Sequence, residues 1–569
     1  MNYYSSDRST LILLSLLKAH QIKYVIASPG TTNMALVGSI QYDPYFKMFS
    51  APDERSAAYM ACGLAAESGE PVVITCTEAT ASRNYLPALT EAFYRKLPIL
   101  VVTGHHGDEK IGHLISQTID RSSYPKDALK MSVSVGRTRT QDDEWSNIIN
   151  INKAILELNH RGKGPVHINL LSAHRSDFNI QNLPHYRKII RFTQSCSLPV
   201  LPQGKIAIFV GSHTKFTAET TSIIDKFCEE NNSVVFCDHT SGYYGKYRLC
   251  FSLVACQQEY KSKLLSIDLL IHIGEVSGDV YVTNALNPKQ VWRVNPDGEI
   301  RDTFRKLSCV FEMEEHDFFS YYLKKNCICH TEYYELCAQE YDHIYSKIPE
   351  LEFSNIWVAK QLYSQIPQGS VIHFGIFHSL RSWNLFRLPD EIESSCNVGG
   401  FGIDGSVSTL LGASLAKLEK LHFLVIGDLA MFYDMNSMGN RHFPPNARIL
   451  LINNGRGIEF RKYDHPASRL GESADEFIAA GGHYGSCSKE LMKHYANDLG
   501  FQYLSASNKD EFFANINMFF LKQLDKPIVF EVFTKPTDEI NASKRIRNLV
   551  DDPFMVIKKS IKKVAKKIT

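Results

Sequence analysis

Gly427-Asp428 and Asn453-Asn454 each close an apolar run of the chain, with twenty-four residues between the two pairs. An aspartate and an asparagine offer hard oxygen donors. Such donors suit magnesium or calcium better than zinc and leave coordination positions free for the oxygens of a diphosphate. The apolar runs, residues 423–426 and 449–452, read as buried parallel strands. Their carboxyl ends would lie side by side, where open α/β sheets bind ligands. The pattern therefore points to a diphosphate cofactor held through a divalent cation, although each pair alone would serve equally well as a polar strand end.

Another residue able to do chemistry is Glu54, within Asp53-Glu54-Arg55 at the head of a small-residue helical stretch, 56–66. A lone glutamate there is ordinarily a partner of the helix dipole. The elements around it are more informative. A strand over 24–27 runs into the turn Ser28-Pro29-Gly30; after the helix come a strand over 71–76, a turn over 77–84, a helix over 87–96 and a strand over 99–103. These form one βαβ layer that would place Glu54 near a strand-end crevice.

In this order, SPG, DER, a second Gly-rich sheet, then GD and NN, the chain resembles thiamine diphosphate enzymes of the decarboxylase and acetohydroxyacid synthase superfamily over nearly its whole length. Within it the chain is most similar to the SEPHCHC synthase family of the menaquinone pathway, through NVGGFGIDGSVST (397–409), GDLAMFYDMN (427–436) and Gln117-Thr118-Ile119-Asp120. The resemblance implies an α/β fold of three doubly wound parallel-sheet domains, with thiamine diphosphate and Mg2+ as cofactors. It makes Glu54 the cofactor-activating glutamate, a role suited to a buried carboxyl of raised pKa. Asp428 and Asn454 become the metal ligands, joined by the backbone carbonyl of Arg456. Ile403, beside Gly402, becomes the apolar wedge that bends the cofactor, and Ser28, Pro29, Gly30, Thr80, Asn84, Gly427 and Leu429 line the cofactor site. Gln117 is implied near the reacting ring; as a residue alone it reads equally as a surface group in a long loop.

Departures from that family redraw the substrate pocket. Thr31-Thr32 replaces a Ser-Arg pair, His106, eleven residues before Gln117, replaces an arginine, and Val398 replaces a third; Arg381 remains. Three lost guanidinium groups remove charge-assisted hydrogen bonds of about 1.5–3 kcal/mol each. A dicarboxylate donor with a carboxylated acceptor is therefore disfavoured, while Arg381 retains the means to hold the carboxylate of a simple 2-oxo acid. Ile376-Phe377-His378 stands in place of small polar residues and Glu78-Ala79 in place of Ser-Gly. A second carboxylate, Glu78, would repel an anionic substrate or bind a hydroxylated acceptor. His105, His106 and His378 are candidate proton shuttles near neutral pH, or hydrogen-bonding scaffold.

The resulting expectation is a carboligase that decarboxylates a 2-oxo acid and adds the acyl-anion equivalent to a ketone, aldehyde or activated acceptor. The alternatives are a simple 2-oxo acid decarboxylase and a non-catalytic thiamine diphosphate-binding subunit. Because the superfamily sets the activating glutamate of one chain against the metal site of another, the resemblance implies a homo-oligomer.

Length and patterning divide the chain into a pyrimidine-binding domain (1–185), a central Rossmann-like domain (200–345) with strands over 205–211, 233–238, 269–274 and 291–295, and a diphosphate-binding domain (350–540) opened by Ser354 as a helix cap. Some superfamily members carry FAD or ADP in the central domain, but no GxGxxG follows these strands. Residues 455–483, rich in Gly, charge and His, read as a lid. A basic tail, 541–569, has nine Lys or Arg against two Asp, and Ile557, Ile561, Val564 and Ile568 share one helical face. It suits a solvated tail or loose contact with an anionic membrane surface. Charge is otherwise balanced, 62 basic against 61 acidic residues, which leaves no global case for nucleic acid. Thirteen scattered cysteines read as free thiols, as does the cluster Cys327, Cys329, His330 and Cys337. With neither a signal-peptide core nor a membrane-spanning run, a cytoplasmic enzyme is expected.

Overall fold

The computed structural model describes residues 3–121, 123–172, 177–323, 329–462, 465–483, 488–522 and 525–550. The chain forms two compact units, one of residues 1–197 with 298–312 and one of residues 198–297 with 313–569.

The first unit is built on a six-stranded parallel sheet in the spatial order Lys47–Ser50, Tyr24–Ala27, Val72–Cys76, Ile99–His105, Val166–Leu171, Met131–Val135. Side chains alternate across it. Val25, Val73, Leu100 and Val102 pack with Leu13, Leu17 and Ile151 on one face, while Ile26, Ile74, Cys76 and Val101 pack with Ala57, Ala61, Ala88 and Leu89 on the other. A period of two with both faces buried is the mark of a doubly wound sheet. The small-residue stretch foreseen from the sequence is the helix Glu54–Ser68, capped by Asp53, which accepts from the Arg55 amide, and ended by Gly69 at φ 68°.

The second unit holds two sheets. Five parallel strands, Arg248–Leu249, Val234–Cys237, Ile206–Val210, Ser266–Ile273 and Asn287–Val294, lie side by side in that order. Numbered along the chain, this is the order 3-2-1-4-5, a nucleotide-binding arrangement whose crevice lies between strands 1 and 4. Main chain fills that crevice. The Glu275 amide donates to Ser212 O at 2.8 Å and the Ser212 amide to Val276 O at 3.2 Å. A Cβ at Gly211 would lie 1.9 Å from Glu275 O, so only glycine fits.

The other sheet has six parallel strands: Glu393–Cys396, Val371–Phe374, His422–Gly427, Ala447–Asn453, Ile528–Phe533 and Gln502–Ala506. In chain order both six-stranded sheets read 2-1-3-4-6-5, one topology used twice. Ser354 caps the helix Asn355–Leu362, as its sequence position implies.

Four elements differ from the sequence expectation. The turn expected over 77–84 contains the helix Thr80–Asn84. Lys47–Ser50 and Met131–Val135 are edge strands; the first is largely solvated, whereas the second alternates, with Met131, Val133 and Val135 turned to the core and two serines outward. Residues 455–483 carry short helical turns, Ile458–Arg461 and Pro466–Ser473, followed by Ala474–Phe477. The cysteine cluster falls partly, and the tail from 551 wholly, outside the described residues.

Candidate active site

In the order 2-1-3-4-6-5 the crevice opens beyond the carboxyl ends of strands 1 and 3, where consecutive crossovers leave in opposite directions. Asp428 follows the carboxyl end of strand 3, His422–Gly427, and Asn454 that of its neighbour strand 4, Ala447–Asn453. Ile426 pairs in register with Leu451, and Gly427 with Ile452, so Asp428 and Asn454 leave neighbouring strands together. Both are buried, 4 % and 7 % exposed. The Gly455 amide donates to Asp428 Oδ2 at 2.7 Å, and Gly455, at φ 76°, turns the chain back toward the aspartate. Burial pushes the Asp428 carboxyl up to about 7, although the Leu429 and Gly455 amides pull it down. The Asn454 Oδ1 atom is buried and accepts no hydrogen bond among the described residues.

A buried carboxylate beside a buried carboxamide oxygen that lacks a donor is the donor set a hard divalent cation requires. These residues fit a metal–diphosphate group. Asn453 does different work: its Nδ2 donates to Glu531 Oε1 at 2.7 Å and braces the strand end. The Arg456 side chain pairs with Asp475, leaving its backbone as the part of the residue available to the metal. Ile403 packs against the core around Leu410, Leu424 and Met431 while remaining partly exposed, as a wedge must.

Around the first unit's crevice, Ser28-Pro29-Gly30 and Thr77-Glu78 follow adjacent strands. A Cβ on Gly30 would meet Thr77 Cβ at 2.4 Å, which explains a glycine where two loops touch. Thr32 is 2 % exposed and bonds Thr77 Oγ1 at 2.8 Å, so it braces the loops, whereas Thr31 is exposed at the crevice mouth. Glu54 stands at the first helical position, half-buried, with Asn84 Nδ2 donating to its Oε2 at 3.3 Å. Thr80 and Asn84 share the short helix that makes this contact. Gln117 lies on an exposed loop at φ 63°.

Glu78 is 3 % exposed. Burial raises its carboxyl to about 7, against the pull of Arg121, the His106 amide and Lys110. The repulsion expected from a second carboxylate is thus offset twice, by partial protonation and by the neighbouring guanidinium. His106 Nε2 lies 3.8 Å from Glu78 Oε2. His105 is buried beside them, and burial lowers it to about 4, out of range for a neutral-pH shuttle.

Two expected site residues are held by buried carboxylates. His378 Nε2 lies 2.9 Å from the buried Glu539, which also accepts from the Asn355 amide and Thr534. The carboxylate fixes the orientation of the ring. Arg381 is also engaged: its Nη1 donates to Glu459 Oε1 at 2.5 Å and its guanidinium stacks on Phe377 at 5.3 Å. Burial would raise Glu459, yet Lys462, Arg381 and His378 hold it down at about 2.

Sequence reasoning passed over Arg121, Glu459 and Glu539. Arg121 is 4 % exposed; its Nη2 donates to Gly104 O at 3.0 Å, while Nε and Nη1 are buried without acceptors among the described residues. Its place four residues after Gln117, directly following the motif 117–120 already singled out, was the available signal.

Residues 9–124 match the family model described as thiamine pyrophosphate enzyme, N-terminal TPP binding domain. Proteins named 2-succinyl-5-enolpyruvyl-6-hydroxy-3-cyclohexene-1-carboxylate synthase are similar along almost the full chain. That of Bacteroides fragilis is 30% identical, covering 95% of this chain and 98% of its own. That of Bacteroides thetaiotaomicron has the same identity and coverage, and that of Phocaeicola vulgatus is 31% identical over 93% and 96%.

Proposed function

The chain belongs to the thiamine diphosphate-dependent 2-succinyl-5-enolpyruvyl-6-hydroxy-3-cyclohexene-1-carboxylate synthase family, and we propose that it uses that cofactor with magnesium to decarboxylate a 2-oxo acid and join the acyl fragment to a carbonyl acceptor. The observation that carries this reading is the pairing of Asp428 with the unpartnered Asn454 Oδ1 at adjoining strand ends. Asp428, Asn454 and the Arg456 carbonyl hold the metal, and Gly427 lets the diphosphate approach. Bound thiamine diphosphate supplies a ring carbon that stabilises negative charge at the carbon losing carbon dioxide. Glu54 would serve as the proton-exchanging carboxyl beside the bound cofactor, Asn84 holds that carboxyl in place, and Ile403 would pack against the cofactor from the core of the sheet.

The substrate pair differs from the dicarboxylate and carboxylated acceptor that an arginine-rich pocket serves. Thr31, His106 and Val398 offer no guanidinium, and Arg381 is already paired with Glu459. A simple 2-oxo acid donor and an uncharged ketone, aldehyde or sugar-like acceptor suit such a pocket. Two chains are required, with Glu54 of one serving the metal site of the other. The protein acts in the cytoplasm; no helix among the described residues is long and apolar enough to cross a membrane.

The test is carbon dioxide release from a panel of 2-oxo acids by protein loaded with thiamine diphosphate and magnesium, alone and with pooled aldehyde and ketone acceptors. Release that depends on acceptor supports ligation. Acceptor-independent release assigns a plain decarboxylase, and no release from any donor overturns the reading.

A further inference from the structure

A small polar pocket, partly open to solvent, lies in the wall of the first unit's crevice. It is lined by Glu78, His105, His106, Thr118, Arg121 and Asn169, and its free volume of about 10 Å³ matches a single water. Glu78 opens the loop after Val72–Cys76, two residues ahead of the helix whose Asn84 contacts Glu54. The turn and short helix that follow Glu78 thus carry the residue that holds Glu54. Glu78 Oε1 is buried with no hydrogen-bond partner among the described residues, and Oε2 faces His106 Nε2 at 3.8 Å. A buried carboxyl oxygen without a donor is unfavourable unless something meets it. His106 is 18% exposed at its side chain, so it touches both Glu78 and solvent.

We propose that Glu78 is the acid of the ligation step, donating its proton to the acceptor oxygen, and that His106 reloads it from solvent. This rests on the carboligase reading above. Adding the acyl fragment to a carbonyl acceptor forms one C–C bond and moves the C=O π pair onto oxygen, which then needs one proton. Glu78 gives that proton, becomes a carboxylate stabilised by Arg121, and regains a proton through the His106 ring. Arg121 is a positioning residue: Gly104 O fixes its Nη2, and its remaining nitrogens stand beside the pocket.

The charged and titratable groups around Glu78 are Arg121, His105, His106, Asp108 and Lys110, with Glu109 near His105. Burial is the largest influence on Glu78 and holds its proton to about 7. The donating form is the protonated one, so ligation falls as pH rises through that value.

Glu78→Gln preserves shape and a hydrogen-bond donor but has no proton to give. In a single turnover of the loaded enzyme, the first carbon dioxide release, which precedes ligation, is expected to slow by less than about threefold, while ligated product falls on the order of a hundredfold and multiple-turnover carbon dioxide release falls with it. His106→Ala is expected to slow ligation, with recovery in added imidazole. Independently of turnover, infrared difference spectra should show a protonated-carboxyl band at about pH 6 that is gone by about pH 8.5 and absent from Glu78→Gln. Unchanged ligation in Glu78→Gln, an equal loss of single-turnover carbon dioxide release, or no such band overturns the assignment. Wild-type protein that releases no carbon dioxide overturns the carboligase reading instead.

Discussion

Ala79 has φ 59° and ψ −133°, a backbone conformation in which a Cβ is crowded and which glycine alone adopts readily. Holding an L-residue there costs about 2 kcal/mol. Ala79→Gly removes that strain but adds about 0.5–1 kcal/mol of unfolded-chain entropy. The balance is a gain of about 1 kcal/mol, or roughly 2–4 °C in Tm for a unit of this size. Thermal unfolding of the full chain, followed by circular dichroism at several scan rates, reads the shift; Ala79→Val, β-branched at positive φ, should fall below wild type. The same residue precedes the helix Thr80–Asn84, so loosening it should lower cofactor-dependent turnover severalfold while raising stability. A Tm unchanged or lowered in Ala79→Gly would show that the strain is absent and refute the reasoning.

Asn454→Leu removes one of two buried oxygen donors, and isothermal titration should show magnesium-dependent thiamine diphosphate binding weakened at least about tenfold with the unfolding temperature of the apo chain preserved. Glu54→Gln and Asp428→Ala should each be inactive. If the site forms between chains, mixing them after reversible dissociation should restore about a quarter of wild-type activity, whereas a site within one chain restores none. Glu459, held at about 2 against an ordinary value near 4.5, contributes stability that is complete above about pH 4.5 and lost as pH falls toward 2; Glu459→Gln should remove that acid sensitivity in a pH series of unfolding midpoints and free Arg381 to bind a carboxylate.

Strands buried on both faces were legible because unbroken apolar runs such as ILLIN leave little choice of environment. Runs that foretold 24–27 and 528–533 correspond to the strands Tyr24–Ala27 and Ile528–Phe533. Edge strands were not legible: Lys47–Ser50 gains its pairing from Tyr24–Ala27 alone and needs no apolar signature. The adjacency of Asp428 and Asn454 was legible because each polar residue ends an apolar run that reads as a parallel strand. Side-chain partnerships across long separations were not. His378 is held by Glu539, 161 residues away, and Arg381 pairs with Glu459 at a separation of 78. Neither acid carries a local pattern that marks it as a partner.

The two six-stranded sheets share more than strand order. Three residues beyond a strand end, each has a non-glycine residue in nearly the same strained conformation, Ala79 after Val72–Cys76 and Phe377, at φ 63° and ψ −117°, after Val371–Phe374. Each residue immediately precedes a short helix, Thr80–Asn84 or His378–Trp383. A strand-to-helix turn that sharp brings the residue just before it, Glu78 or Ile376, back over the carboxyl ends of the sheet. Strain of this kind persists only where surrounding contacts over-determine it. At Phe377 those contacts are ring packing with Phe401 and the stacked Arg381; at Ala79 they are the Ser82 hydroxyl bond to its carbonyl and the Asn84–Glu54 contact. Removing the side chain therefore has opposite consequences at the two positions. Alanine has little packing to lose, so strain relief dominates, whereas phenylalanine holds an aromatic ring and a guanidinium in place, and that packing outweighs the strain it carries.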